Sequence, residues 1–148
     1  MQFNFIANQS IPALAGQTID VIDPSDGQVF EQIPRSQAAD MDQAVQAARA
    51  AFNGPWGKLT AVERGRLLMK LSQKVSAHAS ELAALEQRDC GKPTQQAAAD
   101  AVALARYFEF YAGSCDKLHG ETLPYQNGYS VLTWREPHGV TGHVIPWN

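Results

Sequence analysis

An α/β fold is what this sequence predicts, on three observations. Two β-prone runs flank a turn near the start, apolar residues recur at helical spacing through the middle, and β-branched and aromatic runs close the chain. The order is hairpin, helices, then strands. With 148 residues and 45% hydrophobic content, the chain has the length of one domain, which would bury roughly 70% of its extended surface.

The hairpin comes first. Residues 19–33, "IDVIDPSDGQVFEQI", place the two runs around Pro24-Ser25-Asp26-Gly27, whose residue types favour turns. After Ser36 an Ala-rich segment puts Met41, Ala44, Val45, Ala48 and Phe52 on one helical face. It should end near Gly54-Pro55. A second helix opens at Thr60, with Glu63 three residues on, the spacing at which each side chain accepts a backbone N–H of the first turn. Leu68, Leu71 and Val75 are its expected buried stripe. A third helix, about 80–89, should stop at Gly91 and Pro93, one residue free to turn left-handed and one unable to continue the ladder.

The longest helix is expected over 95–117, where Ala97, Ala101, Leu104, Phe108, Tyr111, Cys115 and Leu118 repeat at steps of four and three. The loop "HGETLPYQNG" then leads to "YSVLTWRE", which reads as a strand, and "PHG" separates that from a last buried strand, "VTGHVI".

Charge and motifs exclude several functions. A net charge of -3, from 12 basic and 15 acidic residues spread along the chain, builds no field for a phosphate backbone, so nucleic acid is not an expected partner. Tyr107, Phe108, Phe110 and Tyr111 then read as packing residues. No apolar run approaches the roughly 18 residues of a membrane span, and no basic leader precedes an apolar stretch. A soluble, cytoplasmic protein without a membrane partner is the expectation. Cys90 and Cys115 lie 25 apart, which suits a reducing compartment.

Neither thiol reads as a nucleophile. The reactive thiolate is favoured by a helix N-terminus and opposed by a C-terminus, where Cys90 falls, while Cys115 lies on the apolar stripe. His138 and His143 are five apart, so on one strand they face opposite ways and share no zinc. "CGKPT" looks like a phosphate-binding loop, but Glu86 stands where its first glycine belongs and Pro93 interrupts the Lys–Thr pair. No G-x-G-x-x-G occurs.

Five segments, in this order, carry a resemblance: "DPSDGQVFEQIP", "AVQAARAAF" with Trp56, "ALEQRDCGKP", "FYAGSCDKLHGETLP" and "WREPHGVTGHVIPWN". Together they resemble the N-terminal part of the aldehyde dehydrogenase family, NAD(P)-dependent enzymes that oxidise aldehydes to acids. The likeness runs from about Asp20 to Asn148. It implies that residues 1–148 form part of an N-terminal, cofactor-binding domain. An oligomerisation-arm strand at about 128–136 would pair with a neighbouring subunit, and 139–145 would be the first strand of a Rossmann-like sheet.

The resemblance also implies a site. Asn148 matches the asparagine whose side-chain amide points at the aldehyde oxygen, where a fixed N–H donor stabilises the charge that thiolate attack develops. Val144, Ile145, Pro146 and Trp147 match the segment lining the nicotinamide side of the NAD or NADP cleft. Some relatives hold a monovalent cation with a backbone carbonyl at the position of Val21 and a carboxylate at that of Asp100, an arrangement suited to a hard cation. The implied reaction is thiolate attack to a thiohemiacetal, hydride transfer to the cofactor, then thioester hydrolysis. The cysteine and glutamate that perform it, and most adenosine-binding residues, come later in the family's order. The chain is therefore expected to be an N-terminal fragment, inactive alone. The alternative is a non-catalytic interaction module whose arm pairs with a full-length homologue, since an open strand edge recruits a partner.

Overall fold

The computed structural model describes residues 1–146. It opens with a hairpin not anticipated from the sequence, β1 (Asn4–Ile6) against β2 (Gln9–Ile11). Its two turn residues, Ala7 and Asn8, have φ of 52° and 62°. Two successive left-handed residues twist the chain in the sense the strands need, and only the asparagine advertises it. The expected hairpin follows as β3 (Thr18–Ile22) and β4 (Val29–Pro34), antiparallel, with Val21 opposite Glu31 and an irregularity after Val21. Asp23 holds its turn by accepting from the Ser25 backbone N–H at 2.9 Å and hydroxyl at 2.6 Å. Those bonds, the hydroxyl's first, draw the Asp23 carboxyl below its ordinary range.

Helix α1 (Ala38–Asn53) starts on a carboxylate. Asp40, only 3% exposed, accepts the backbone N–H of Gln37 at 2.9 Å and of Leu14 at 2.7 Å. It thus caps its helix and pins the strand-to-hairpin connection to it. The short helix α2 (Pro55–Lys58) begins with proline at its first position, where no N–H is needed. Next comes α3 (Ala61–Ala77), entered as expected: the Glu63 N–H donates to Thr60 Oγ1 at 3.2 Å, and Glu63 accepts from the Thr60 N–H at 2.8 Å.

Helix α4 (Ala79–Cys90) ends where expected, on Gly91 with φ of 72°, a conformation a side chain would strain. Helix α5 (Thr94–Ser114) ends three residues before the sequence suggests. α3 and α4 both pack on α5, and their contact faces correct two stripes. On α3 the buried residues are Gly65, Ser72 and Val75, and Leu71 faces solvent. On α5 they are Ala97, Ala101 and Ala105, at steps of four, while Leu104 and Tyr111 are exposed. Small residues in i, i+4 rows let helices approach closely; Val75, Ala97 and Ala101 are buried as expected, and Leu71, Leu104 and Tyr111 are not. The seam is closed by the Ser72 hydroxyl, which donates to the Ala105 carbonyl at 2.7 Å. Ala83, Ala97 and Ala101, backed by Ala79 and Leu82, form the core between α4 and α5.

The last part differs most from expectation. Instead of a strand over 128–136 there is a two-residue ladder, β5 (Thr122–Leu123) with β6 (Val131–Leu132). Residues 139–145, expected as a buried strand, form no ladder. A strand needs a neighbour for its N–H and C=O groups and cover for its faces, and among the described residues neither is offered here. The whole chain exposes 11791 Å², against roughly 7,400 Å² for a compact protein of 16.1 kDa. About half of its extended surface is buried, short of the roughly 70% that length alone suggests. Among the described residues no large side chain is fully buried.

Candidate active-site wall and arm

The segment 139–146 is an extended strip of chain with its apolar side chains in water. It leaves the arm after Gly139, whose φ of 99° turns the backbone. Val140 is 38% exposed, Ile145 82% and Val144 fully so. Pro146 is exposed as well. Thr141 Oγ1 and His143 Nε2 lie 3.2 Å apart in this strip. Trp147 and Asn148 lie outside the described residues. The strip's apolar side chains are Val140, Val144, Ile145 and Pro146, and its polar ones Thr141 and His143.

The hairpin preceding it, with β5 and β6 as its ladder, is tied at its base. Thr133 donates its N–H to the Glu121 carbonyl at 2.8 Å, and its hydroxyl accepts the Glu121 N–H at 2.7 Å. Arg135 Nε donates to the His119 carbonyl at 2.8 Å. At the tip Tyr125 and Tyr129 meet edge to face, with ring centres 5.8 Å apart. Tyr129, Leu132 and Trp134 are largely exposed, Trp134 at 83%. Among the described residues, the backbone–backbone bonds of this end stop at Thr133.

Val21 and Asp100 belong to different elements, β3 and α5. Asp100 is not an isolated acid. Its Oδ2 accepts from Lys92 Nζ at 2.7 Å, and the same ammonium is bound by Glu86 Oε1. Lys92 is thereby held by two carboxylates, which raises its pKa well above the ordinary lysine range, the Asp100 bond contributing most. Sequence reasoning missed this cluster, whose members lie on α4, the Gly91–Pro93 break and α5. A cleft of about 530 Å³ opens beside it, walled by Leu82, Ala101, Leu104 and Tyr107. Among the described residues no group of three or more His, Cys, Asp and Glu converges as a metal cage.

Both thiols sit at helix C-termini and are occupied locally. Cys90, the last residue of α4, donates to the Glu86 carbonyl at 3.1 Å, and Cys115, capping α5, donates to the Tyr111 carbonyl at 3.2 Å. No described helix is long and apolar enough to cross a membrane.

With this geometry in hand, the comparisons with known proteins fall together. The profile of the aldehyde dehydrogenase family matches residues 12–148. The chain is 44% identical over 140 residues to aldehyde dehydrogenase family 2 member B4, mitochondrial, of Arabidopsis thaliana, covering 93% of the chain and 26% of that protein. Among solved structures, it superposes on an aldehyde dehydrogenase assigned in Burkholderia cenocepacia with a TM-score of 0.95 and 63% identity, covering 98% of the chain and 31% of the other. PnpE of Pseudomonas sp. WBC-3, solved with nicotinamide adenine dinucleotide, matches with a TM-score of 0.81 and 39% identity over 88% of the chain and 27% of its own. The chain therefore spans between a quarter and a third of the length of these relatives.

Proposed function

Because the chain belongs to the aldehyde dehydrogenase family and covers the N-terminal part of its fold, we propose that it supplies one wall of an aldehyde-oxidising site. The intact enzyme would convert an aldehyde and NAD or NADP to a carboxylic acid. The observation that carries this reading is the uncovered apolar strip at Val144 and Ile145. Leaving two such side chains in water forgoes about 1.5–3 kcal/mol each, which a covering ring or sheet would recover.

Each residue then has a task. Val144, Ile145, Pro146 and Trp147 would line the nicotinamide side of the cleft. The cofactor supplies hydride acceptance when bound. Its phosphates would be held elsewhere, since these 148 residues contain no G-x-G-x-x-G turn. Asn148 would donate an amide N–H to the aldehyde oxygen, stabilising the charge that develops there; losing one such donor costs about 3 kcal/mol, or a hundredfold in kcat. A sulfur nucleophile and a base would come from the rest of the fold, because Cys90 and Cys115 bond to their own helices.

Residues 1–148 act in this reading as part of a single cofactor-binding domain, and the arm joins it to another subunit of a homo-oligomer. A cytoplasmic location is also part of it, resting on two free cysteines and tested by fractionation. For a monovalent cation, the donors fit poorly. Asp100 already carries the Lys92 ammonium, so no step is routed through a cation at Val21 and Asp100.

The test is absorbance at the reduced-nicotinamide band, with an aldehyde and NAD or NADP. The 148 residues alone should give no turnover, and the same residues joined to the remainder of a family fold should give it. Asn148→Ala in the joined enzyme should lower kcat about a hundredfold. Turnover by the 148 residues alone would overturn the reading. A second reading, a non-catalytic module that pairs with a full-length homologue, is favoured by the exposed arm edge with Tyr129, Leu132 and Trp134. Co-purification with an intact dehydrogenase, lost in Trp134→Ala, would support it.

A further inference from the structure

Beside the apolar core between α4 and α5, one ammonium bridges the break that joins them. Lys92 lies in the three-residue break Gly91–Pro93; Glu86 stands one turn before the end of α4, and Asp100 two turns into α5. The Lys92 side chain is only 16% exposed, against 33% for Glu86 and 54% for Asp100. A cation drawn that far out of water is held by its partners, and here there are two, one on each helix. The same break also receives the β3–β4 turn. A Cβ built on Gly91 would sit 3.0 Å from Pro24 Cγ. Arg88 bonds Asp23 at 3.5 Å while its guanidinium lies 4.5 Å from the centre of the Phe30 ring. Hairpin, α4 and α5 thus meet at residues 86–100.

We propose that Lys92 is a built-in counter-cation that clamps α4 to α5 through Glu86 and Asp100 and takes the place a solvent cation would have at Asp100. The charge count supports this. With the ammonium present, two carboxylates face one cation; with it removed, they face each other across the joint. A sodium or potassium ion reaching Asp100 would have to displace an ammonium that already bonds its oxygen at 2.7 Å. It would also shed water for a site whose carboxylates, Glu86 and Asp100, are already bonded to that ammonium. The fold therefore carries its own cation, and its stability at this joint should be indifferent to which monovalent cation is in solution.

Two measurements on the full 148-residue chain test this. First, thermal midpoints are compared in sodium, potassium and choline chloride at equal ionic strength. The three midpoints should coincide for the native chain. Lys92→Met should lower the midpoint, Lys92→Arg should lower it less, and the milder variants Asp100→Asn and Glu86→Gln should each lower it too. Second, a protected Lys92 ammonium should give a slowly exchanging ¹⁵N–H signal coupled to its carboxylate neighbours, weakened in Asp100→Asn. A native midpoint higher in sodium or potassium than in choline, with the difference abolished by Asp100→Asn, would assign Asp100 to a solvent cation and overturn the proposal. Unchanged midpoints in both Asp100→Asn and Glu86→Gln would overturn the clamp, whether or not Lys92→Met folds.

Discussion

The bundle α3–α4–α5 and the closing segment 119–146 both carry apolar residues, yet among the described residues only the bundle buries any of them. A helix satisfies its backbone within its own span, and alanine faces let three helices bury a seam with nothing else present. Ala97 and Ala101 are buried to 0% and 4% exposure. In the closing segment, two residues on each side form a ladder and the rest waits. A strand's hydrogen bonds always belong to another strand. The contrast explains why residues 139–145 form no ladder among the described residues.

Substitutions along the α3–α5 seam should expose the contrast most strongly. A Cβ at Gly65 would stand 2.6 Å from the Ala112 carbonyl oxygen, so Gly65→Val should force the helices apart and cost about 3 kcal/mol by chemical denaturation. Next is Ser72→Ala, which removes the hydroxyl bond from α3 to the Ala105 carbonyl at the buried seam; about 1 kcal/mol is expected. An unchanged denaturation midpoint in either would mean that α3 and α5 do not meet in solution as described.

A smaller effect concerns acid. The Thr60 backbone N–H, then its hydroxyl, hold the Glu63 carboxyl below its ordinary range. A carboxylate with a depressed folded pKa contributes stability above its unfolded pKa, and that stability is lost as pH falls through the folded value. Glu63→Gln keeps an acceptor for the capping box. It should therefore leave the neutral-pH midpoint nearly unchanged and flatten the acid limb of the midpoint-against-pH curve.

Smallest of all, Val144→Ala and Ile145→Ala should change stability by less than about 0.5 kcal/mol, because neither side chain touches anything that unfolding would expose. In the joined enzyme the same substitutions should raise KM for the cofactor. A large stability loss in the 148-residue chain would show that the wall is already covered.

What could be read from the sequence follows the same division. Thr60 with Glu63, and Gly91 with Pro93, act through their own backbone, so the helix ends were legible. The faces were less so: Leu71, Leu104 and Tyr111 match helical spacing but are exposed, since alanines bring the helices together. The β1–β2 turn at Ala7 and Asn8 carried too weak a signal. Lys92 was hidden because its partners lie on two helices whose crossing no local pattern announces. The role proposed for Val144 and Ile145 rests on family resemblance, since composition and spacing mark them only as apolar.

Amide hydrogen exchange of the 148-residue chain tests the central claim most directly. Amides of α3, α4 and α5 on the buried seam should be protected together, while those of 136–146 exchange at the rate of unstructured peptide. Protection at 139–145 equal to that of the bundle would contradict the account, because it would mean that the strip had found a strand partner without the rest of the fold.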